Sequence, residues 1–123
     1  MPSISKAQAE HEESAAGFSA RFHELDDYTV AFESHTADGD LAALFKGLPG
    51  DRCQCPHWGY VLKGKVVFHY ADGEDIVTEG HAYYARPGHT PELFKGTEVV
   101  EFSPTAALAE TMEAVMKNLP AGA

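Results

Sequence analysis

Cationic residues are scarce in this chain: nine Lys and Arg stand against nineteen Asp and Glu, a formal charge of -10 over 123 residues. That balance excludes nucleic acid as a partner, because phosphate binding draws on a surplus of lysine and arginine. It equally excludes docking on an anionic membrane surface, and its simplest use is solubility. No apolar run approaches the roughly 20 residues of a membrane helix. The opening Met1-Pro2-Ser3-Ile4-Ser5-Lys6-Ala7 lacks the basic-then-apolar pattern of a secretory signal, so a cytoplasmic location is expected. Cysteine is limited to Cys53 and Cys55, whose single intervening residue makes a mutual disulfide strained. A Gly-rich phosphate loop, a Gly-x-Ser-x-Gly elbow and a His-Glu-x-x-His helix are all missing. No internal repeat or linker divides the chain.

What is present reads as one small β domain. A chain of this length buries roughly two-thirds of its unfolded surface, enough for its own core. Residues 1–17 are polar and read as a short N-terminal helix or tail. Residues 18–103 carry short apolar runs separated by turn residues, the pattern of an all-β barrel or sandwich. Phe18 to His35 reads as one or two strands, with Asp26-Asp27 as a turn. Trp58 to Leu62, Val66 to Tyr70, Asp75 to Thr78, Ala82 to Ala85 and Thr97 to Phe102 read as further strands. Asp72-Gly73 is a hairpin signal. In residues 104–123, Leu108, Met112, Val115, Met116 and Leu119 recur at helical spacing, so a C-terminal amphipathic helix of about four turns is expected, stopped by Pro120 and Gly122. Its methionines read as packing.

Cys53-Gln54-Cys55-Pro56-His57 is the most informative stretch. Alternate residues of a strand share a face, so two thiols and an imidazole can point the same way. Pro56 marks an edge or an irregular start. That donor set suits a borderline divalent ion, zinc above all. A fourth ligand must come from elsewhere, and His89 follows the turn Pro87-Gly88, where it can be aimed inward. Two other readings stay open: small buried residues beside a core histidine, and a reactive cysteine. Trp58, Phe68, Tyr70 and Tyr83 either line a pocket for a small molecule or fill the interior of the barrel. His23, His35, His69 and His81 have no partner in sequence. Asp51 and Glu101 are acids that spacing does not single out.

Gly59-Tyr60-Val61-Leu62-Lys63-Gly64-Lys65-Val66 resembles the first motif of the cupin family, in which a strand ends in a Val-Leu-x-Gly turn. Gly80 to Gly88, with Arg86-Pro87-Gly88, resembles the second. The match runs from Cys53 to Phe102. The run Cys-x-Cys-Pro-His-Trp-Gly-Tyr and the tail Glu-Phe-Ser-Pro-Thr resemble short chains of a bacterial branch of that family. The resemblance implies a double-stranded, jelly-roll β-barrel, a divalent metal site inside it, a small-molecule ligand and a homodimer formed through sheet edges. The family's ligands are two histidines one residue apart, a glutamate, and a histidine after the second motif. Seven positions before Gly64, His57 takes the glutamate's place; Cys53 and Cys55 lie near the histidine pair, two residues closer than the common spacing. His89 precedes by two positions the usual last ligand, where this chain has Pro91, and shares its strand parity. Thiolates in these places move the preference from iron, manganese or nickel towards zinc, so dioxygenase activity is not carried over. Three functions compete: a zinc-binding cupin handling a small molecule, with Cys53, Cys55, His57 and His89 as ligands; a non-enzymatic ligand-binding or sensor module without a metal; and a thiol-dependent activity.

Overall fold

The computed structural model describes residues 3–15 and 17–119. The strands are β1 (His11–Ala15), β2 (Phe18–Leu25), β3 (Tyr28–His35), β4 (Gly39–Asp40), β5 (His57–Lys63), β6 (Lys65–Tyr70), β7 (Gly73–Thr78), β8 (Ala82–Ala85), β9 (Thr90–Leu93) and β10 (Glu98–Pro104). The helix α1 (Thr105–Asn118) closes the described chain. One sheet has the order β1-β2-β3-β10-β5-β8 and the other β4-β9-β6-β7, with antiparallel pairing throughout. The all-β expectation therefore holds, in jelly-roll form. The two sheets are not joined by hydrogen bonds into a closed barrel.

Alternation sets what faces inward. On β10, Val99, Glu101 and Ser103 are buried while Phe102 is exposed; on β5, His57 and Val61 are buried while Trp58, Tyr60 and Leu62 are exposed. The core between the sheets joins Val61, Ala85 and Val99 from one to Val66, Phe68 and Tyr70 from the other. Chain crossing from β5 to β6 depends on Gly64. Its φ is +83°, and an added Cβ would sit 2.4 Å from Thr97 Oγ1. Gly59 is needed for another reason: the Tyr83 ring lies against its backbone, 2.4 Å from where a Cβ would be.

Helix α1 caps one end of the sandwich with the 3-10 turn at Ala42–Phe45. Leu44, Phe45, Cys53, Cys55 and Val115 form this second core, and Asn118 Nδ2 ties the helix end to the carbonyls of Leu44 and Lys46. Thr111 and Val115 are its buried positions, whereas Met116 is half exposed, so the buried stripe excludes one residue of the expected set. Pro120 and Gly122, expected to stop the helix, lie outside the described residues.

Two readings change and one is narrowed as expected. The N-terminal region is not a helix: after a turn, His11–Ala15 pairs with Phe18–Phe22 as an edge strand, polar because it has no neighbour on its far side. Phe18–His35 is two strands, turned at Asp26-Asp27, where Asp26 takes φ 61°. β9 is an unexpected strand, since Pro91 reads as a breaker; it is accommodated opposite Phe68 on β6.

Candidate metal centre

A single bridge assembles the site. Cys53 lies outside the named strands and pairs with His89 across an isolated antiparallel bridge: Cys53 N–H donates to His89 O, and Gly88 N–H to Cys53 O, both at 2.8 Å. Gly88, with φ +96°, makes the turn that delivers His89 to this pairing. His57 is the first residue of β5, opposite Ala85 on β8. Cys53, His57 and His89 are all buried, and one donor atom from each lies within 4.8 Å of the others. Cys53 Sγ and His57 Nε2 are 3.6 Å apart. With metal–sulfur and metal–nitrogen bonds of about 2.3 and 2.05 Å, a tetrahedral zinc site has a sulfur–nitrogen edge of about 3.6 Å. The donor pair is already at that spacing.

Both histidines are oriented for ligation. His89 Nδ1 lies 2.6 Å from the Arg86 carbonyl, which only accepts, so Nδ1 carries the hydrogen and Nε2 keeps its lone pair. His57 Nδ1 lies 2.6 Å from Ser103 Oγ and 3.3 Å from Glu101 Oε1, leaving Nε2 to face the sulfur. Glu101 accepts a short hydrogen bond from the Tyr83 hydroxyl. Carboxylate and hydroxyl partners of this kind fix the ring and raise its basicity towards a metal.

At every ionisable group of the site, burial disfavours the charged form. Burial pushes the Cys53 thiol up to about 11, partly offset by hydrogen bonds with the Cys55 backbone and Thr111, and pushes Cys55 up to about 12. Burial lowers the pKa of both imidazoles, offset at His57 by Glu101 and at His89 by the Arg86 carbonyl. The Glu101 carboxyl is pushed up to about 7 by burial, opposed by His57. A reactive cysteine has a depressed pKa and access to solvent. These thiols have neither, so the thiol-dependent reading loses its basis.

Of the four ligands expected from sequence, the fold brings three together. Cys55 is buried but is not in the converging set; its sulfur lies against the Pro56 carbonyl and packs with Leu44, Phe45 and Val115. The reason is Pro56: residues 54–56 are not strand, so the alternation that would have aligned Cys55 with Cys53 and His57 does not operate. Phe68 and Tyr83 line a cavity beside the site, whereas Trp58 and Tyr70 do not. Trp58 is on the outward face of β5, stacked on Tyr84 with ring centroids 5.1 Å apart, and Tyr70 is buried under the Arg86 guanidinium. His23 and His81 are exposed, and His69 is held between Glu74 and Glu92. Asp51 is exposed and accepts the Gly47 N–H.

Sequence reasoning passed over Glu101, Glu33 and His35, all of which line the cavity. The signal was parity: Glu101 sits between Val99 and Ser103, and His35 lies two and four residues beyond Glu33 and Ala31 on one face of β3. The cavity is about 110 Å³ and otherwise largely apolar, with Leu41, Leu93, Phe68 and Met112 among its walls. No lysine or arginine lines it.

No family model matches the chain, and no curated protein matches it. Solved structures do. Oxalate decarboxylase from Bacillus subtilis aligns with a TM-score of 0.56 and 19% identity over 82% of this chain, which spans only 28% of the enzyme's length. A protein of unknown function from Rhizobium leguminosarum aligns with a TM-score of 0.60 and 14% identity, covering 84% of this chain and 94% of its own. A Vibrio parahaemolyticus domain of unknown function gives 0.51 and 13%, covering 76% and 95%. The chain shares the fold of these structures, a cupin-like jelly roll, as the motifs around Gly59 to Val66 and Gly80 to Gly88 led us to expect.

Proposed function

We propose that this is a metal-binding cupin domain that holds zinc through Cys53, His57 and His89 and handles a small molecule in the adjoining cavity. The supporting observation is the buried three-donor cluster, with its sulfur and nitrogen at 3.6 Å and a hydrogen-bonded partner behind each ring. Thiolate with imidazole favours zinc among available divalent ions. Three protein ligands leave one tetrahedral position open, which distinguishes catalytic from closed structural zinc sites. When bound, zinc supplies Lewis acidity at that position, to a carbonyl or to water. Ser103 and Glu101 hold His57; the Arg86 carbonyl holds His89; the apolar walls exclude bulk water. Elemental analysis tests the reading. Protein grown in zinc-supplemented medium is expected to carry one zinc per chain, and Cys53→Ala or His89→Ala none, with Cys55→Ala retaining it. Wild-type protein without stoichiometric metal refutes the proposal and leaves a metal-free ligand-binding module.

The same reading includes a homodimer. Tyr28, Trp58, Tyr60, Tyr84 and Phe102 are each at least 40% exposed on the outward face of the larger sheet. Aromatic, uncharged surface of this kind suits an interface, and for two chains of charge -10 it is where they approach without opposing like charges. Light scattering on Trp58→Lys is expected to report a monomer where the wild type is a dimer; equal masses refute it.

A further inference from the structure

The end of the cavity formed by β3 carries polar groups that the metal-site reading does not use. His35 is 4% exposed and lines the cavity. Its Nδ1 has no hydrogen-bond partner among the described residues. Its Nε2 is 3.8 Å from Glu33 Oε1, beyond hydrogen-bonding distance. A buried ring nitrogen without a partner has given up its water with nothing in return, so such groups are rare without a role. Glu33, a quarter exposed, lines the same wall, and its negative charge reaches inward far enough to raise the pKa of Tyr83 and of Glu101.

Register places this pair well away from the proposed ligands. Glu33 is opposite Val99 on β10, and His35 two residues further along; His57 is reached through Ser103, four residues from Val99 in the other direction. At about 3.3 Å per residue, Glu33 and the His57 level are roughly 13 Å apart along the strand. Glu101, held by the Tyr83 hydroxyl, stands on β10 between the two levels, and apolar side chains including Phe68, Leu41 and Leu93 line the rest of the cavity.

We propose that His35 and Glu33 form the recognition end of this cavity, and that its ligand is a small uncharged molecule with an apolar body and a hydroxyl-type head, not a carboxylate. The head gives His35 the partner that the protein withholds. Size follows from the volume: a dry apolar cavity of about 150 Å³ takes a benzene, so about 110 Å³ takes about four or five heavy atoms. Charge follows from the walls. At the β3 end the lining offers Glu33 and, among the described residues, no lysine or arginine, so this end lacks the cation that a carboxylate head would require. This inference rests on the reading that the cavity admits a small molecule, and it does not depend on which ion is bound.

The test is an NMR titration of ¹³C-histidine-labelled protein at pH 8 with 1-butanol and with butyrate, after a chelator has removed any ion that could itself ligate butyrate, the metal content being measured on the as-purified sample. We expect 1-butanol to shift the His35 Cε1–H signal saturably and butyrate to bind at least ten-fold more weakly. Glu33→Gln is expected to narrow that gap to about three-fold or less. His35→Leu, which keeps the volume, should weaken 1-butanol roughly three- to ten-fold, the range of one hydrogen bond, while leaving cyclopentane binding unchanged. Butyrate binding as tightly as 1-butanol, or no saturable response at His35 to either, overturns the proposal. Metal content decides the zinc reading separately, so the two can fail independently.

Discussion

Loading zinc into a site this buried must expel a proton, and the number expelled is measurable. Cys53 ligates as the thiolate, yet burial holds its pKa at about 11. At pH 7 the thiol is about four units below that value, and removing its proton costs roughly 5–6 kcal/mol at about 1.4 kcal/mol per unit. Zinc binding to cysteine and histidine sets supplies about 10–16 kcal/mol, so the metal wins and the proton leaves. Glu101, at about 7, is half protonated at that pH and loses its remaining share beside the cation. Calorimetry at pH 7 in two buffers of different ionisation enthalpy is expected to give between one and one and a half protons released per zinc. Glu101→Gln should bring the number to one, and Cys53→Ala should abolish binding. Apparent affinity should rise about ten-fold per pH unit from 7 to 9, because the thiol stays protonated across that window. The raised thiol pKa leaves stability at pH 7 unchanged, since folded and unfolded chains both keep the proton; this thiol lowers the stability of the metal-free protein only above about pH 9, where the unfolded thiol ionises first. Tight zinc binding with no proton released, or with an affinity flat from pH 7 to 9, refutes the assignment of Cys53 as a ligand.

Three further outcomes follow from the same geometry. Because the Glu101 pKa in the fold lies above its ordinary 4.5, the metal-free protein binds this proton more tightly than the unfolded chain; its stability is full below about pH 4.5 and falls as pH rises towards 7, and urea melts of Glu101→Gln should show that slope flattened. Ser103→Ala removes the 2.6 Å partner of His57 Nδ1 and should lower zinc affinity about 10- to 100-fold without changing the circular dichroism spectrum. Gly64→Ala must adopt φ +83° with its Cβ pressed on Thr97, a residue whose hydroxyl bonds both the N–H and the carbonyl of Lys65; a loss of about 2–4 kcal/mol in chemical denaturation is expected, and a change below 0.5 kcal/mol would contradict the crossing described for β5 and β6.

The strands most readable in the sequence were those bounded by turn chemistry. Asp26-Asp27, Gly64, Asp72-Gly73 and Gly80 each fall where the chain reverses or changes sheet. β1 was hidden because an edge strand written His-Glu-Glu-Ser has no apolar face to advertise, and β9 because Pro91 argues against a strand that tertiary pairing nonetheless supports. At the site, the Cys-x-Cys-x-His run and the Pro87-Gly88 turn pointed to Cys53, His57 and His89, but the same alternation was the wrong guide to Cys55, since Pro56 interrupts the strand that alternation requires. Glu101 and His35 were invisible for a different reason. Their meaning depends on which strands face each other, and a lone glutamate in Val-Val-Glu-Phe-Ser acquires a partner only when β5 is laid beside β10.

That dependence also explains why the donors can differ from the cupin pattern while still meeting. A strand ladder would fix every second residue from 53 to 57 to one face and would force Cys55 inward. Instead, Cys53 is held by its own bridge to His89, and His57 by the start of β5, so the two are set independently and the residues between them are free to turn. The bridge couples the first and last of the proposed ligands through three backbone hydrogen bonds that involve no side chain. Donor identity at residue 53 can therefore change from imidazole to thiolate without moving the backbone. What cannot change is the turn that sets the bridge: Gly88 at φ +96° has open space around it, so a side chain there meets no clash but must still take a left-handed conformation costing about 1–2 kcal/mol. The metal preference of such a site is thus held in side chains, and its geometry in Gly88 and the pairing of Cys53 with His89.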